Sequence, residues 1–306
     1  MPAPMHPASL NETDLTQVRC PQCRGPLSGS PTTGPLVCES GHRWPVIRGL
    51  ARLYEAGEVR GNDRLMNLIY DRLAPLHDPA VALALPLCGT GTEPALRRTY
   101  FDRLELEQLK PRADGAPIRI LEIGMGTGAN VSWLRDRIPH GLDYELWGVD
   151  LAEGMLKLCL RRLDRRPEPR VRLALADAHA LPFADQSFDR VFHIGATNNY
   201  RDPDLALAEM ARVARPGTPI VVVDERLDSS TPQSAYHRLM FRLVTFYDWA
   251  PREPVSMLPP DAVDVRDEQI ARFFYCLSFR MPEPSRESPP EPPSWTRRRR
   301  LRRRRP

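Results

Sequence analysis

Lysine is nearly missing from this chain. Of 43 basic residues only Lys110 and Lys157 are lysine, and the rest are arginine. With 33 prolines and many alanines, this bias points to a GC-rich coding sequence rather than to an activity. No apolar run reaches 18 residues, so no transmembrane helix is expected. Met1 to Asp14 holds no basic stretch followed by an apolar one, which argues against a secretory signal and makes the cytoplasm the expected location. Cysteine is sparse, with six in 306 residues, so a disulfide scaffold is not expected. Basic surface is scarce too, despite the formal net charge of +4. Eight arginines lie in the last ten residues (Arg297–Arg300 and Arg302–Arg305), and without them the remainder stands at −4. A nucleic-acid footprint over the folded part is therefore not expected.

What is present bounds the fold. An apolar share of 42% supports a proper core, and 306 residues accommodate one α/β domain of about 200 residues plus a small module. Ile118, Ile120, Leu121 and Ile123 read as a buried strand. The run Glu122-x-Gly124-x-Gly126-x-Gly128 follows, and Ala129 to Arg137 has helical character. Alternate glycines let the backbone turn sharply and let a ligand lie on bare main chain. The spacing is G-x-G-x-G rather than the G-x-G-x-x-G of pyrophosphate binders, which favours S-adenosylmethionine (SAM), a cofactor without phosphates. Leu146–Asp150, Arg190–Gly195 and Ile220–Asp224 read as further strands, and Asp204 to Ala214 as a helix broken by Arg215-Pro-Gly217. Alternating strands and helices predict a parallel, doubly wound Rossmann-like α/β sheet.

Cys20-Pro-Gln-Cys23 and Cys38-Glu-Ser-Gly-His42 lie 14 residues apart. A C-x2-C and a C-x3-H knuckle supply three sulfurs and one imidazole, the donor set of a structural zinc site. Such a module is too small to fold easily without a staple. Four protein ligands leave no open position, so a catalytic metal role is not expected. Cys88, Cys159 and Cys276 read as isolated buried thiols.

The order E-I-G-x-G-x-G (122–128), G-V-D (148–150), A-D-A (176–178), L-P-F-x-x-x-S-F-D (181–189) and E-M-x-R-V-x-R-P-G (209–217) resembles the class I SAM-dependent methyltransferases, most closely the UbiE-like type 11 group that includes quinone C-methyltransferases. The likeness covers roughly residues 60 to 282. It implies a seven-stranded, mostly parallel sheet ending in an antiparallel hairpin, expected over 263–281. It also implies that Gly124, Gly126 and Gly128 line the methionine and ribose part of SAM, that Glu122 serves its ammonium end, and that Asp150 holds the ribose hydroxyls. Asp177 and Ala178 would flank the adenine, with Leu151 and Gly195 completing the site. Residues 16–56, with the ending Arg43 to Tyr54, resemble a small Trm112-like zinc-binding domain. The Cys/His set also resembles the ribbon of 23S rRNA guanine-N1 methyltransferases.

Expected boundaries are a disordered N-terminus (1–15), the zinc ribbon (16–56), a helical linker or cap (57–116), the SAM-binding domain (117–282) and a disordered Pro- and Arg-rich tail (283–306). Tyr70 is open between cofactor contact and packing. The aromatics Tyr236, Phe241, Phe246, Tyr247 and Trp249 are open between core and substrate lid. No catalytic residue is assigned; His193, Thr197, Asn198, Asn199 and Tyr200, after the fourth strand, are candidates, with His193 fitting a structural role. The D/N-P-P-Y/F loop of amino-directed DNA methyltransferases reads Thr197-Asn-Asn-Tyr200 here, and two ill-placed lysines do not supply a K-D-K-E tetrad. The expected partner is a small, lipophilic acceptor. RNA base methylation and a non-catalytic SAM-binding partner protein stand as alternatives, and the oligomeric state is not legible.

Overall fold

The computed structural model describes residues 6–87, 93–195, 197–246, 248 and 252–283. Twelve strands and six α-helices lie among them. A three-stranded antiparallel sheet comprises β1 (Leu27–Ser28), β2 (Leu36–Cys38) and β3 (Arg43–Trp44). The larger sheet has nine strands. In chain order these are β4 (Val46–Ile47), β5 (Leu50–Leu53), β6 (Ile118–Ile123), β7 (Tyr144–Asp150), β8 (Val171–Ala176), β9 (Arg190–Ile194), β10 (Ile220–Glu225), β11 (Val263–Ala271) and β12 (Phe274–Arg280).

Their spatial order is β11-β12-β10-β9-β6-β7-β8-β5-β4. The central strands from β10 through β5 pair in parallel, and β11 and β12 close one edge as an antiparallel hairpin. The expected seven strands are therefore extended by two. Arg52 and Leu53 of the cysteine-rich segment pair with Leu175 and Ala176, so that segment is grafted onto the sheet edge. Buried Leu50, Ala51 and Leu53 explain the docking, because an isolated four-residue strand has nowhere else to hide them. A disordered N-terminus is not what residues 6–15 form. Ser9 bridges to Leu173, the Leu173 amide donates to the Ala8 carbonyl, and Leu10 is fully buried. The tail from 284 onward, Cys88, Tyr247 and Trp249 lie outside the described residues.

The helices are α1 (Asn62–Leu87), α2 (Glu93–Arg103), α3 (Val131–Arg135), α4 (Glu153–Arg165), α5 (Pro203–Val213) and α6 (Ala235–Val244). The helix expected from Ala129 to Arg137 shrinks to α3, because Gly128 still holds φ +72° and Pro139 disfavours helical backbone just before it. α1 is long despite Pro75, Pro79 and Pro86. Pro75 has no N–H to give the Asp71 carbonyl. Gly154, in the first turn of α4, packs against that carbonyl so closely that a Cβ would collide with it, and its amide donates to Asp71 Oδ1 at 2.6 Å. Among the described residues no helix is long and apolar enough to cross a membrane.

Candidate active site

The carboxyl ends of β6, β7, β8 and β9 open onto a cleft of about 1230 Å³, roofed by α1. This is the crevice where doubly wound sheets bind ligands. Gly124, Gly126 and Gly128 all hold positive φ, at 70°, 56° and 72°, a region that costs other residues about 1–2 kcal/mol. A Cβ on Gly128 would lie 2.6 Å from Cys159 Sγ, and one on Gly124 would press on the His193 ring at 3.2 Å. The turn is thus shaped by its conformation on one side and by packing on the other.

The three acids singled out by the sequence all line the cleft. Glu122 at the end of β6 is buried and accepts from Asn130 Nδ2 at 2.6 Å, and Asn130 Oδ1 in turn accepts from Arg97 and, at 3.3 Å, from the Tyr100 hydroxyl. The other oxygen of Glu122, Oε2, has no partner among the described residues. Burial pushes its carboxyl up to about 8, against the pull of Asn130 and Arg97. Asp150 at the end of β7 accepts the Gly126 amide on one oxygen and the Ala152 amide on the other, each at 2.8 Å. Burial raises its pKa, and those amides work in the opposite sense.

Asp177, after β8, is bound differently from the adenine-facing acid that the resemblance implies. Its Oδ1 accepts the His179 amide at 2.9 Å and the His179 ring, and its Oδ2 accepts from Arg201 at 2.7 Å. Arg201 also pairs with Asp63 of α1. Burial opposes ionisation of Asp177, but His179 and Arg201 outweigh it and hold the carboxyl well below the ordinary range. Asp63 and Arg201 carry no local sequence signal and were not foreseen. The same is true of Asp78, which accepts from Thr127 in the glycine turn at 2.9 Å and from Arg162 at 2.6 Å, latching α1 over the turn.

Leu151, Ala178 and Gly195 also line the cleft. Of the candidates after β9, Asn199 and Tyr200 line it, and Asn199 Oδ1 is buried without a partner among the described residues. His193 and Asn198 are not on its wall. His193 is fully buried, its Nδ1 donates to the Ile123 carbonyl at 2.7 Å, and burial lowers its pKa to about 4, leaving a neutral ring under the glycine turn. Asn198 donates its amide to Asp224 at 2.7 Å and its side chain to the Glu225 carbonyl, holding the end of β10. Thr197 is fully buried. Tyr70 both packs on α4, beside Ala152 and Met155, and lines the cleft. Phe246 lines it as well, Phe241 packs on Phe273 with centroids 5.4 Å apart, and Tyr236 is exposed.

Away from the cleft, the ligand atoms of Cys20, Cys23, Cys38 and His42 all lie within 4.8 Å of one another. Cys23 and Cys38 sulfurs are 3.6 Å apart, and His42 Nδ1 lies 3.5 Å from Cys20 Sγ and 3.3 Å from Cys38 Sγ. A tetrahedron with zinc–sulfur bonds of about 2.3 Å has edges near 3.8 Å, so this donor set and spacing fit zinc.

Residues 121–222 match the family described as a methyltransferase domain, and the chain is similar to class I SAM-dependent methyltransferases of the UbiE-like type. The chain is 35% identical over 156 residues to the demethylmenaquinone methyltransferase of Thermus thermophilus, covering 51% of this chain and 64% of that enzyme. It is 34% identical over 172 residues to a ubiquinone/menaquinone biosynthesis C-methyltransferase, UbiE, of Bordetella avium, covering 56% and 60% respectively. It thus spans under two thirds of the length of both relatives. A solved phosphoethanolamine N-methyltransferase 2 of Haemonchus contortus, in complex with S-adenosyl-L-methionine, superposes with a TM-score of 0.50 at 16% identity, covering 64% of this chain and 54% of that one. That likeness concerns the fold.

Proposed function

We propose that the chain transfers a methyl group from SAM to a small lipophilic acceptor of quinone-, lipid- or polyketide-like chemistry. The observation that carries this reading is the convergence of Glu122, Asp150 and Asp177 on a cleft whose floor is a bare glycine turn. Arginines line the cleft too, but Glu122 and Asp150 flank the glycine turn itself, which suits the cationic end of a ligand there. When bound, SAM supplies the electrophilic methyl group. Glu122, with Oε2 unpartnered, would take the ammonium end, and Gly124, Gly126 and Gly128 the methionine and ribose. Asp150 keeps lone pairs beyond its two amide bonds for the ribose hydroxyls. Asp177 is engaged on both oxygens, so its proposed part is to set the adenine-side loop, where Ala178 would meet the ring.

The cleft exceeds the 300–1,000 Å³ usual for one small ligand, leaving room for an acceptor beside the cofactor. Ile69, Tyr70, Phe246, Ile270 and Phe274 give that space an apolar wall. Alignment and exclusion of water are then the protein's main contributions to an in-line displacement. Asn199 and Tyr200, facing the cleft, are the candidates for orienting an acceptor. The cysteine–histidine cluster would hold zinc as a structural staple.

The test is incubation with methyl-labelled SAM and, separately, total RNA and a lipid extract. The expected result is label in the organic-soluble fraction. Label confined to RNA would overturn the reading in favour of base methylation.

A further inference from the structure

Twelve large apolar side chains are exposed among the described residues, and nine belong to α1, α6 and the turn after α6. They are not scattered. At 100° per residue, Leu65, Leu76 and Leu83 fall in one line along α1, with Leu68 and Leu73 to either side. On α6, Tyr236, Leu239 and Leu243 share one stripe, which Phe246 continues. Clustered exposed apolar rows mark contact surfaces, whereas single exposed leucines do not.

The exposed charges flanking these rows are mostly arginines. Of the acids of α1, Asp63 pairs with Arg201 and Asp78 with Thr127 and Arg162, and exposed Asp71 accepts the Gly154 amide. Arg64 and Arg72 are exposed beside its leucines. α6 has no acid at all, and Arg238 and Arg242 are exposed beside Leu239 and Leu243. Apolar residues in a row flanked by arginines are the signature of a helix lying in a lipid headgroup layer. A twofold contact between α6 helices of two copies would instead bring like charges together.

We infer that the outer faces of α1 and α6 seat the protein on an anionic lipid bilayer. Both helices border the cleft, through Met66, Ile69 and Tyr70 on one side and Val244 and Phe246 on the other. Docking there lets a lipid-soluble molecule pass between bilayer and cleft along apolar side chains.

The experiment is sedimentation of the full-length protein with phosphatidylcholine vesicles, with and without phosphatidylglycerol. Hydrogen exchange of α6 is followed alongside. Wild type is expected to sediment with the anionic vesicles and to gain protection over 235–246. Leu239→Asp with Leu243→Asp is expected to weaken binding by about tenfold or more, and Arg238→Ser with Arg242→Ser by about fivefold per arginine. Circular dichroism checks that the variants remain folded, which their exposed positions favour. The inference is overturned if wild type stays in the supernatant. It also fails if the leucine variant binds undiminished, since the terminal arginines would then be responsible. A wild-type dimer that the leucine variant dissolves, without vesicle binding, assigns the face to self-association and equally overturns it.

Discussion

Arg24, beside the first cysteine knuckle, donates to the buried carboxylate of Glu209 at 2.6 Å across 185 residues of chain. Glu209 on α5 also accepts the Leu181 amide at 3.0 Å and pairs with Arg212 at 2.9 Å. Leu181 lies four residues beyond Asp177, so the metal knuckle and the adenine-side loop share one buried acid. Arg19 strengthens the tie by donating its amide to the Pro182 carbonyl at 2.8 Å. Arg24→Ala leaves Arg212 in place and should cost about 1–3 kcal/mol of stability. Stripping metal with a chelator should loosen the same loop, lowering the melting temperature and weakening SAM binding together. Calorimetry of chelated and zinc-restored protein reads both.

Gly128 combines φ +72° with a 2.6 Å approach of any added Cβ to Cys159 Sγ. Gly128→Ala should therefore destabilise by about 2–4 kcal/mol, from left-handed strain plus overpacking. Adding Cys159→Ala should recover the packing part and leave the strain. Urea denaturation of the single and double variants separates the two.

Glu122 gives a pH signature. Its carboxyl, raised to about 8 when buried, holds a proton over a range where the unfolded chain has lost it. The folded state then binds the extra proton, so this group makes stability fall as pH rises from about 4.5 to 8, by up to about 1.4 kcal/mol per unit. Glu122→Gln should flatten that slope. A cationic cofactor prefers the ionised form, but the SAM ammonium itself titrates at about 8, so wild-type affinity should peak at about pH 8, and that of the variant should be weaker and only fall as pH rises. Binding titrations between about pH 7 and 9 provide the check.

Arg201 bridges Asp63 and Asp177 and so clamps the start of α1 to the cleft. Arg201→Met removes the cation paired with two buried carboxylates, of which Asp177 retains His179. A loss of about 3–5 kcal/mol is expected, with faster hydrogen exchange over 62–70. Asp177 is held below its ordinary pKa, so its contribution is present at neutral pH and is lost as pH falls below the usual carboxylate range. The variant should accordingly lose less stability than wild type on acidification.

Much of the centre of the molecule was legible from local pattern. Apolar runs ending in glycine or acid locate β6, β7 and β10, and the cysteine spacing locates the donor cluster. The unforeseen features depend on distance or on broken local rules. The Arg201–Asp63 and Arg24–Glu209 pairs are 138 and 185 residues apart and leave no periodicity to read. α1 falls in the segment read as a helical linker or cap (57–116), but its length is not legible, because three prolines argue against a helix of 26 residues. Its continuity depends on tertiary contacts, including the bare Cα of Gly154 against the carbonyl that Pro75 leaves unbonded. β4 and β5 were too short to betray that they would extend the sheet, and residues 6–15 are ordered by Leu173, far along the chain.

Calorimetric titration of the purified full chain with S-adenosylhomocysteine, repeated on Asp150→Ala, tests the cofactor site most directly. The account requires one site per chain in wild type and at least about tenfold weaker binding in the variant, which loses a charge-assisted pair of hydrogen bonds. No heat from folded wild type, or equal affinity in both proteins, would contradict it.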